Sequence, residues 1–576
     1  IKILNKKGYS YSIVKIQLYD KEKISDIKAI TYNLEGNTIK KSYLTKKEIF
    51  TKQLNEKWKE VTFTMPNIKV GSVIEYTYSV TSPYSKIDDW YFQSDIPKLK
   101  SDFSALILGN WKYNITLRGF LKLMRNSTSI KKNCLKDGNS VNGGDCLSIN
   151  FGIDDIPAFK VEDYMLSKKN FISRIAFELE SFTDVNGRVK KYTREWKDAD
   201  KTLKNDFLDN QSSKKNYFKK RVLNDSILNI KDPLVKANTI FSLIKEHYTW
   251  DGNYWPKARL RVKEAFENKK GNVFDINLSL YNALLAANID SKLMLLSTRG
   301  KGLPTKIHPI TTDFNFLVVK TMINGKTYFL DATKKNMPFG LIQFDALNGE
   351  GRVMDFKKGS YWEDIKLSKR TSKNVRLNME LIDNSFLGDI TISRNGYSAF
   401  YRRNDLIGEK EDEIIENFET KYSNIEVEEY QNINLDKPNQ QLLESFKIEV
   451  ETDLQDEKRI RINPFFIDKI AQNPFKLDQR DYPVDFGYPR KNTYMLKLKI
   501  PKDYTIKKIP ESKALSLPNK GGKLIFNVKQ RDNTINLYLK ILINKKSYSS
   551  EEYFYLKEFY NRIIKIEDDY IEIEKK

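Results

Sequence analysis

The chain has 576 residues, of which 40% are hydrophobic and 30% charged. This balance excludes a disordered or fibrous polymer and, at this length, a single core, so two to four globular domains are expected. The net charge of +23 comes from 99 Lys and Arg interleaved with 76 Asp and Glu; a dedicated nucleic-acid binder gathers its cations into a stripe or arm, so this pattern reads as a solvated, lysine-rich surface. A general affinity for acidic glycans or anionic headgroups stays open as the second reading of the charge.

The first residues, Ile1-Lys2-Ile3-Leu4-Asn5, show neither an initiator Met nor a signal-peptide pattern and read as strand. The expectation is a chain that begins inside a larger precursor, with earlier strands and an export signal upstream. No run approaches the roughly 18 apolar residues of a spanning helix. To about residue 185 the dominant period is two, as in Val61, Phe63 and Met65, then Ile74, Tyr76, Tyr78 and Val80, with Pro66-Asn67 and Gly71 between them. These are antiparallel strands, and Ile172 to Phe182 reads as another.

Cys134 and Cys146 bracket Asp137-Gly138 and Gly143-Gly144, the pattern of a polar hairpin tip with its two strands tied together. A disulfide there implies an oxidising compartment. Two free buried thiols or a metal site are the alternatives; the spacing and the lack of a nearby histidine disfavour the metal.

From about residue 186 to 230 a Lys-, Asp- and Asn-rich connection with a polar helix is expected, after which Asp232-Pro233 signals an N-cap and first turn. Ala237, Ile240, Phe241 and Ile244 form the apolar face of the helix that follows, which delivers Trp250, Tyr254 and Trp255. Such aromatics stack on a sugar, hold a peptide, or simply supply packing mass. Gly271-Asn272 opens a second helix, with one buried face at Ile276, Leu280, Ala283, Leu284 and Ala287, ending at Asn288-Ile289-Asp290. Leu293 to Leu296 reads as a buried strand. Phe314 to Lys320 and Thr327 to Leu330 form a hairpin about Asn324-Gly325 that ends at Leu330-Asp331-Ala332-Thr333.

Beyond Trp362 the period returns to two, as in Tyr494, Leu496, Leu498 and Ile500 and again from Ile535 to Ile543. Two helices interrupt it, one around Ile414, Ile415, Phe418 and Tyr422, the other carrying Tyr553, Leu556, Tyr560 and Ile563 behind a Ser549-x-x-Glu552 cap.

The stretch Gly271-Asn272-Val273-Phe274-Asp275-Ile276-Asn277, with the hairpin ending in Leu-Asp-x-Thr, resembles the nucleophile region of a transglutaminase-like, papain-type domain. In that family a Gly-x-Cys turn sets a thiol at a helix N-terminus, where the macrodipole favours thiolate, and a His and an Asp on later strands complete a triad. Val273 stands where the resemblance places the Cys, Phe316 where it places the His, and Asp331 matches the Asp. His308 lies 23 residues before Asp331, against 15 for the family position, in a loop beside Pro309. Ser279, two turns into the helix, reads as an ordinary polar helix residue. Asp275 and Asn277 either line a remnant cleft or serve the helix's first turn, and Asp331 without a histidine reads as a strand-end hydrogen-bonding residue.

Val61 to Tyr76, followed by Asp89-Trp90-Tyr91-Phe92-Gln93, resembles the β-rich domain of unknown function that precedes such cores in bacterial envelope proteins. Asn473-Pro474-Phe475-Lys476-Leu477 through Asp481 to Gly487 resembles the β-domain that follows them.

The expected architecture is multidomain α+β: a β-sandwich over 1–190, truncated at its start, a degenerate papain/transglutaminase-like core over 191–362, and a β-sandwich with two helices over 363–576. With two of three triad positions lost, the expected protein is not an enzyme but a binding or structural subunit of a cell-envelope assembly. A carbohydrate- or peptide-binding protein using Trp250, Tyr254, Trp255, Asp275 and Asn277 is the second reading; an acyl-transfer enzyme or peptidase with another constellation is the third. No cofactor, metal, nucleic acid or transmembrane segment is expected. The partners would be envelope proteins, or a glycan or peptide, in the periplasm or at the surface of a Gram-negative bacterium.

Overall fold

A computed structural model describes residues 1–135, 144–184, 186–192, 195–208, 210–254, 261–307, 309–355, 357–383, 385–451 and 458–576. The chain divides into two compact units, the first comprising residues 1–88 with 177–179 and the second residues 89–176 with 180–576.

In the first unit, β1 (Ile13–Tyr19), β2 (Lys23–Glu35), β3 (Thr38–Tyr43), β4 (Ile49–Gln53), β5 (Trp58–Thr64) and β6 (Val73–Thr81) form two antiparallel sheets, ordered β1-β5-β4 and β3-β2-β6. The period of two in the sequence has a direct cause. Val14, Ile16 and Leu18 of β1 and Val61 and Phe63 of β5 point inward to join Ala29, Met65 and Ile74 in one small core, while their neighbours along the strands face water.

The second unit opens with β7 (Trp90–Tyr91), β8 (Lys98–Leu108), β9 (Trp111–Arg118), β10 (Arg125–Leu135), β11 (Gly144–Ile156), β12 (Arg174–Thr183, apart from the residues 177–179 counted with the first unit) and β13 (Val189–Lys191). The antiparallel order β10-β11-β8 sets Lys131 opposite Cys146, and a register shift then brings Cys134 across to it. Cys134 and Cys146 are joined by a disulfide with their Cα atoms 5.8 Å apart. Asp137-Gly138 and Gly143, expected at the tip, lie outside the described residues.

The central portion contains α1 (Trp196–Thr202), α2 (Lys215–Val222), α3 (Asp225–Leu228), α4 (Pro233–His247), β14 (Thr249–Trp250), α5 (Val262–Glu267), β15 (Lys270–Gly271) and α6 (Val273–Ala286). Then come β16 (Ser291–Leu296), β17 (Phe316–Ile323), β18 (Lys326–Leu330), β19 (Glu350–Met354) and β20 (Tyr361–Asp364). The last five form an antiparallel sheet in the order β18-β17-β16-β19-β20. Asp232 caps α4 as expected, accepting from the N–H groups of Leu234 and Val235. The expectation of one buried face on α6 needs correction: every residue from Val273 to Leu284 is buried. The sheet covers one side of α6, and α2, α4 and α5 pack on the others. A helix this apolar is stable only when enclosed.

The remaining strands are β21 (Thr371–Ile382), β22 (Ser385–Asn395), β23 (Ile425–Ile433), β24 (Leu442–Val450), β25 (Arg459–Ile462), β26 (Val484–Asp485), β27 (Arg490–Lys499), β28 (Tyr504–Lys508), β29 (Lys513–Ser516), β30 (Gly522–Arg531), β31 (Thr534–Ile543), β32 (Ser547–Tyr548) and β33 (Ile571–Lys575). The helices among them are α7 (Tyr397–Asp405), α8 (Glu411–Lys421) and α9 (Tyr553–Glu567). An eight-stranded sheet runs β23-β24-β22-β21-β27-β31-β30-β29, with β21 and β27 parallel and the other pairs antiparallel. Its inward residues share a core with β25-β33-β28 and with α9 through Leu556, Phe559 and Ile563.

Two ion pairs fasten distant segments of the second unit. Arg480 meets Glu162 at 3.1 Å with both side chains almost wholly buried, and the same carboxylate accepts from the N–H groups of Asp481 and Tyr482. Arg299 meets Asp485 at 2.7 Å.

Candidate functional site

The site is built about the N-terminus of α6. Asn272 caps the helix, its side-chain oxygen accepting from the N–H groups of Phe274 and Asp275, while Asp275 reaches back to accept from the backbone and side-chain amides of Asn272. Gly271 is required by that closeness, since a Cβ there would lie 2.8 Å from Asp275 Cβ. Burial pushes the Asp275 carboxyl up to about 6.

Val273 is the first residue of α6 and is fully buried. Its N–H, one of the four that a helix leaves without an internal partner, donates to the Asn253 carbonyl at 3.2 Å. The Trp250 indole N–H donates to the same oxygen at 3.0 Å. The positive end of the helix is therefore filled from within the chain.

One turn on, Asn277 donates to the Leu317 carbonyl at 2.8 Å and to Asp331 Oδ1 at 3.2 Å, and accepts from the Ala332 N–H at 3.0 Å. Leu317 directly follows Phe316, the first residue of β17, and Asp331 directly follows β18. The face of α6 that carries Val273 and Asn277 is thus the one turned to Phe316 and Asp331. Phe316 is fully buried, its ring 5.6 Å from that of Tyr254. Asp331 is fully buried too: Oδ1 also accepts from the Thr333 N–H and hydroxyl, and Oδ2 accepts from the Gln343 N–H at 3.1 Å. Burial raises its carboxyl while these hydrogen bonds oppose the rise. Gln343 in turn donates to the Thr333 hydroxyl at 2.7 Å.

The aromatic residues are engaged as well. Trp250 is half-buried, with Lys334 Nζ 4.2 Å from its ring centre. Tyr254 donates its hydroxyl to Asp345 at 2.7 Å, and burial with that carboxylate pushes it up to about 12. Ser279, buried, donates to the Asp275 carbonyl and is hydrogen-bonded to Tyr248, away from the helix N-terminus. His247 stacks on Phe266 at 3.9 Å and lies against its carbonyl. Trp255 and His308 lie outside the described residues. Among the described residues no group of three His, Cys, Asp or Glu side chains is placed to hold a metal ion, and no helix is long and apolar enough to cross a membrane.

The fold is shared with a solved structure. It is that of a chain described as a "putative protease" from Parabacteroides distasonis, with 12% identity over 99% of this chain and 94% of that one and a TM-score of 0.56. A "putative cysteine protease" from Cytophaga hutchinsonii overlaps 49% of this chain and 90% of its own at 11% identity, with a TM-score of 0.16 that carries no weight. Residues 1–131 match a family model described as a domain of unknown function with a solved structure, DUF3857. Residues 458–573 match a second such model, DUF3858. None of the curated proteins matches the chain.

Asn253, Thr333 and Gln343 complete the site's hydrogen bonding. Thr333 falls within the Leu-Asp-x-Thr match; Asn253 contributes a backbone oxygen and Gln343 acts from beyond the hairpin, so neither leaves a sequence pattern.

Proposed function

We propose that this chain is a non-catalytic member of the protease-like folds, acting as a binding or structural subunit of a larger bacterial cell-envelope assembly. The observation that carries the reading is the closed helix end. Val273 stands where the resemblance places the nucleophile, its N–H is given to Asn253, and Asp331 is committed to Asn277, Thr333 and Gln343. Acyl transfer needs a nucleophile beside a base and donors free to receive an oxyanion, and this arrangement supports neither.

The envelope location draws on the disulfide and on the sequence resemblance of both flanks; within this reading residues 1–190, 191–362 and 363–576 act as sandwich, core and sandwich. A glycan or peptide in the remnant cleft is less favoured, because Trp250 and Tyr254 already hold Asn253 and Asp345.

Two measurements test the proposal. The purified chain should release no peptide from labelled casein and attach no labelled amine to it. Detergent extracts of the native envelope should carry the chain in a particle larger than the recombinant monomer. Turnover that survives repurification would overturn the first half, and a monomeric native form the second.

A further inference from the structure

A cleft of about 360 Å³ lies away from α6, between α7, α8 and the eight-stranded sheet. At about 30 Å³ per liquid water it holds roughly a dozen waters, room enough for a small molecule of one or two rings. Four cations line it, Lys373, Arg394, Arg402 and Lys421, against three carboxylates, Asp405, Glu444 and Asp468.

The pairing inside the cleft is specific. Glu444, with no side-chain exposure, takes Arg394 on one oxygen and Arg402 Nε and Nη2 on the other, at 2.9 and 2.7 Å. Lys373 pairs with Asp468, which also accepts from the Tyr422 hydroxyl at 3.2 Å. One carboxylate thus holds two guanidiniums, so the lining carries one surplus positive charge. Arg394 Nε and Nη2 and Arg402 Nη1 have no partner among the described residues. Glu444 fixes both guanidiniums in place, so these donors are held in position. Phe418, stacked on Phe446 at 4.3 Å, and half-exposed Tyr401 add ring faces to the same cleft.

We infer that this cleft is a binding site for a small ring-bearing monocarboxylate, whose anionic group meets the spare donors of Arg394 and Arg402 and whose ring lies against Phe418 and Tyr401. One surplus charge matches a monoanion, planar guanidinium donors suit a carboxylate, and the volume leaves room for a small ring-bearing molecule.

Titration calorimetry on the full chain tests this with two acids and their uncharged counterparts, glucuronate against glucose and benzoate against benzamide. At least one acid should bind about tenfold or more tighter than its counterpart and lose affinity as salt is raised. Lys421→Gln, at an exposed position on α8, should weaken that acid about threefold or more with an unchanged melting temperature. Tyr401→Ala, which removes a ring face from the cleft, should weaken it as well. Equal or absent binding of acids and counterparts, inorganic sulfate binding as tightly as the better acid, or an affinity indifferent to both variants would overturn the assignment.

Discussion

Asn277 and Asp331 hold α6 against the end of β18: the amide donates to Oδ1 at 3.2 Å while its oxygen takes the N–H of Ala332. Because both are fully buried, truncating either strands polar groups without water. Asn277→Ala and Asp331→Ala should each destabilise the second unit by roughly 3 kcal/mol or more in denaturant titrations, and the double variant should cost less than the sum. Strict additivity would show that the two do not act together.

Val273 fills its position as a hydrocarbon. Val273→Asp should therefore destabilise by several kcal/mol, on the order of 3 or above, by burying an unpaired carboxylate. Val273→Cys should fold, and its thiol should react with iodoacetamide more slowly than free cysteine at neutral pH, since it gains burial without a base. A fast-reacting thiol would reopen the enzyme reading.

Asp275 gives the helix a pH dependence of definite sign. Its folded value of about 6 lies above the ordinary 3.8, so the native state binds the proton more tightly than the unfolded chain does. Stability contributed by this group is then full below the ordinary value and declines as pH rises from about 4 to 6. Asp275→Asn should remove that decline. Measured by denaturant unfolding, wild type should lose stability relative to the variant across this window; a constant difference would mean that Asp275 is not desolvated.

The Glu162–Arg480 pair should behave as a buried charge pair. Glu162→Gln strands a guanidinium whose Nη2 already lacks a partner, and a loss of about 3–5 kcal/mol is expected, whereas Glu162→Leu with Arg480→Met should recover most of it. Thermal unfolding of the three variants decides the matter.

Unreduced, unfolded chain should show no thiol to a maleimide label, because Cys134 and Cys146 are bonded. Closing a loop this short contributes on the order of 3 kcal/mol in the chain-entropy model, so reduction should lower the resistance of β10 and β11 to proteolysis. Two labelled thiols would remove the structural case for an oxidising compartment.

What the sequence revealed and what it hid divide by locality. The start of α6 was legible because Asn272 caps it through neighbouring atoms, and the hairpin because Asn324 and Gly325 adopt the left-handed conformations, φ 52° and 73°, that such a turn demands. The enclosure of α6 was hidden, since α2, α4 and α5 belong to other stretches of chain and no periodicity of α6 announces them. Helix α7 was missed within a region of period two. It lacks a side-chain cap and begins after Gly396, whose φ of 63° reverses the chain. The ion pairs Glu162–Arg480 and Arg299–Asp485 join residues 318 and 186 positions apart, beyond any local pattern.

The one parallel pairing in the eight-stranded sheet bears on how the molecule is made. Thr371 lies opposite Arg490 and Glu380 opposite Lys499, each partner 119 residues further along, and closing so long a loop costs roughly 4 kcal/mol of chain entropy before any contact repays it. Strands β21, β22 and β24 can pair with one another first, but the edge of β21 that belongs to β27 then stays open until the later strand arrives. During that interval the edge is a template for any passing strand. A period of exposure to mispairing is thus written into the order of the strands, whatever the stability of the finished fold.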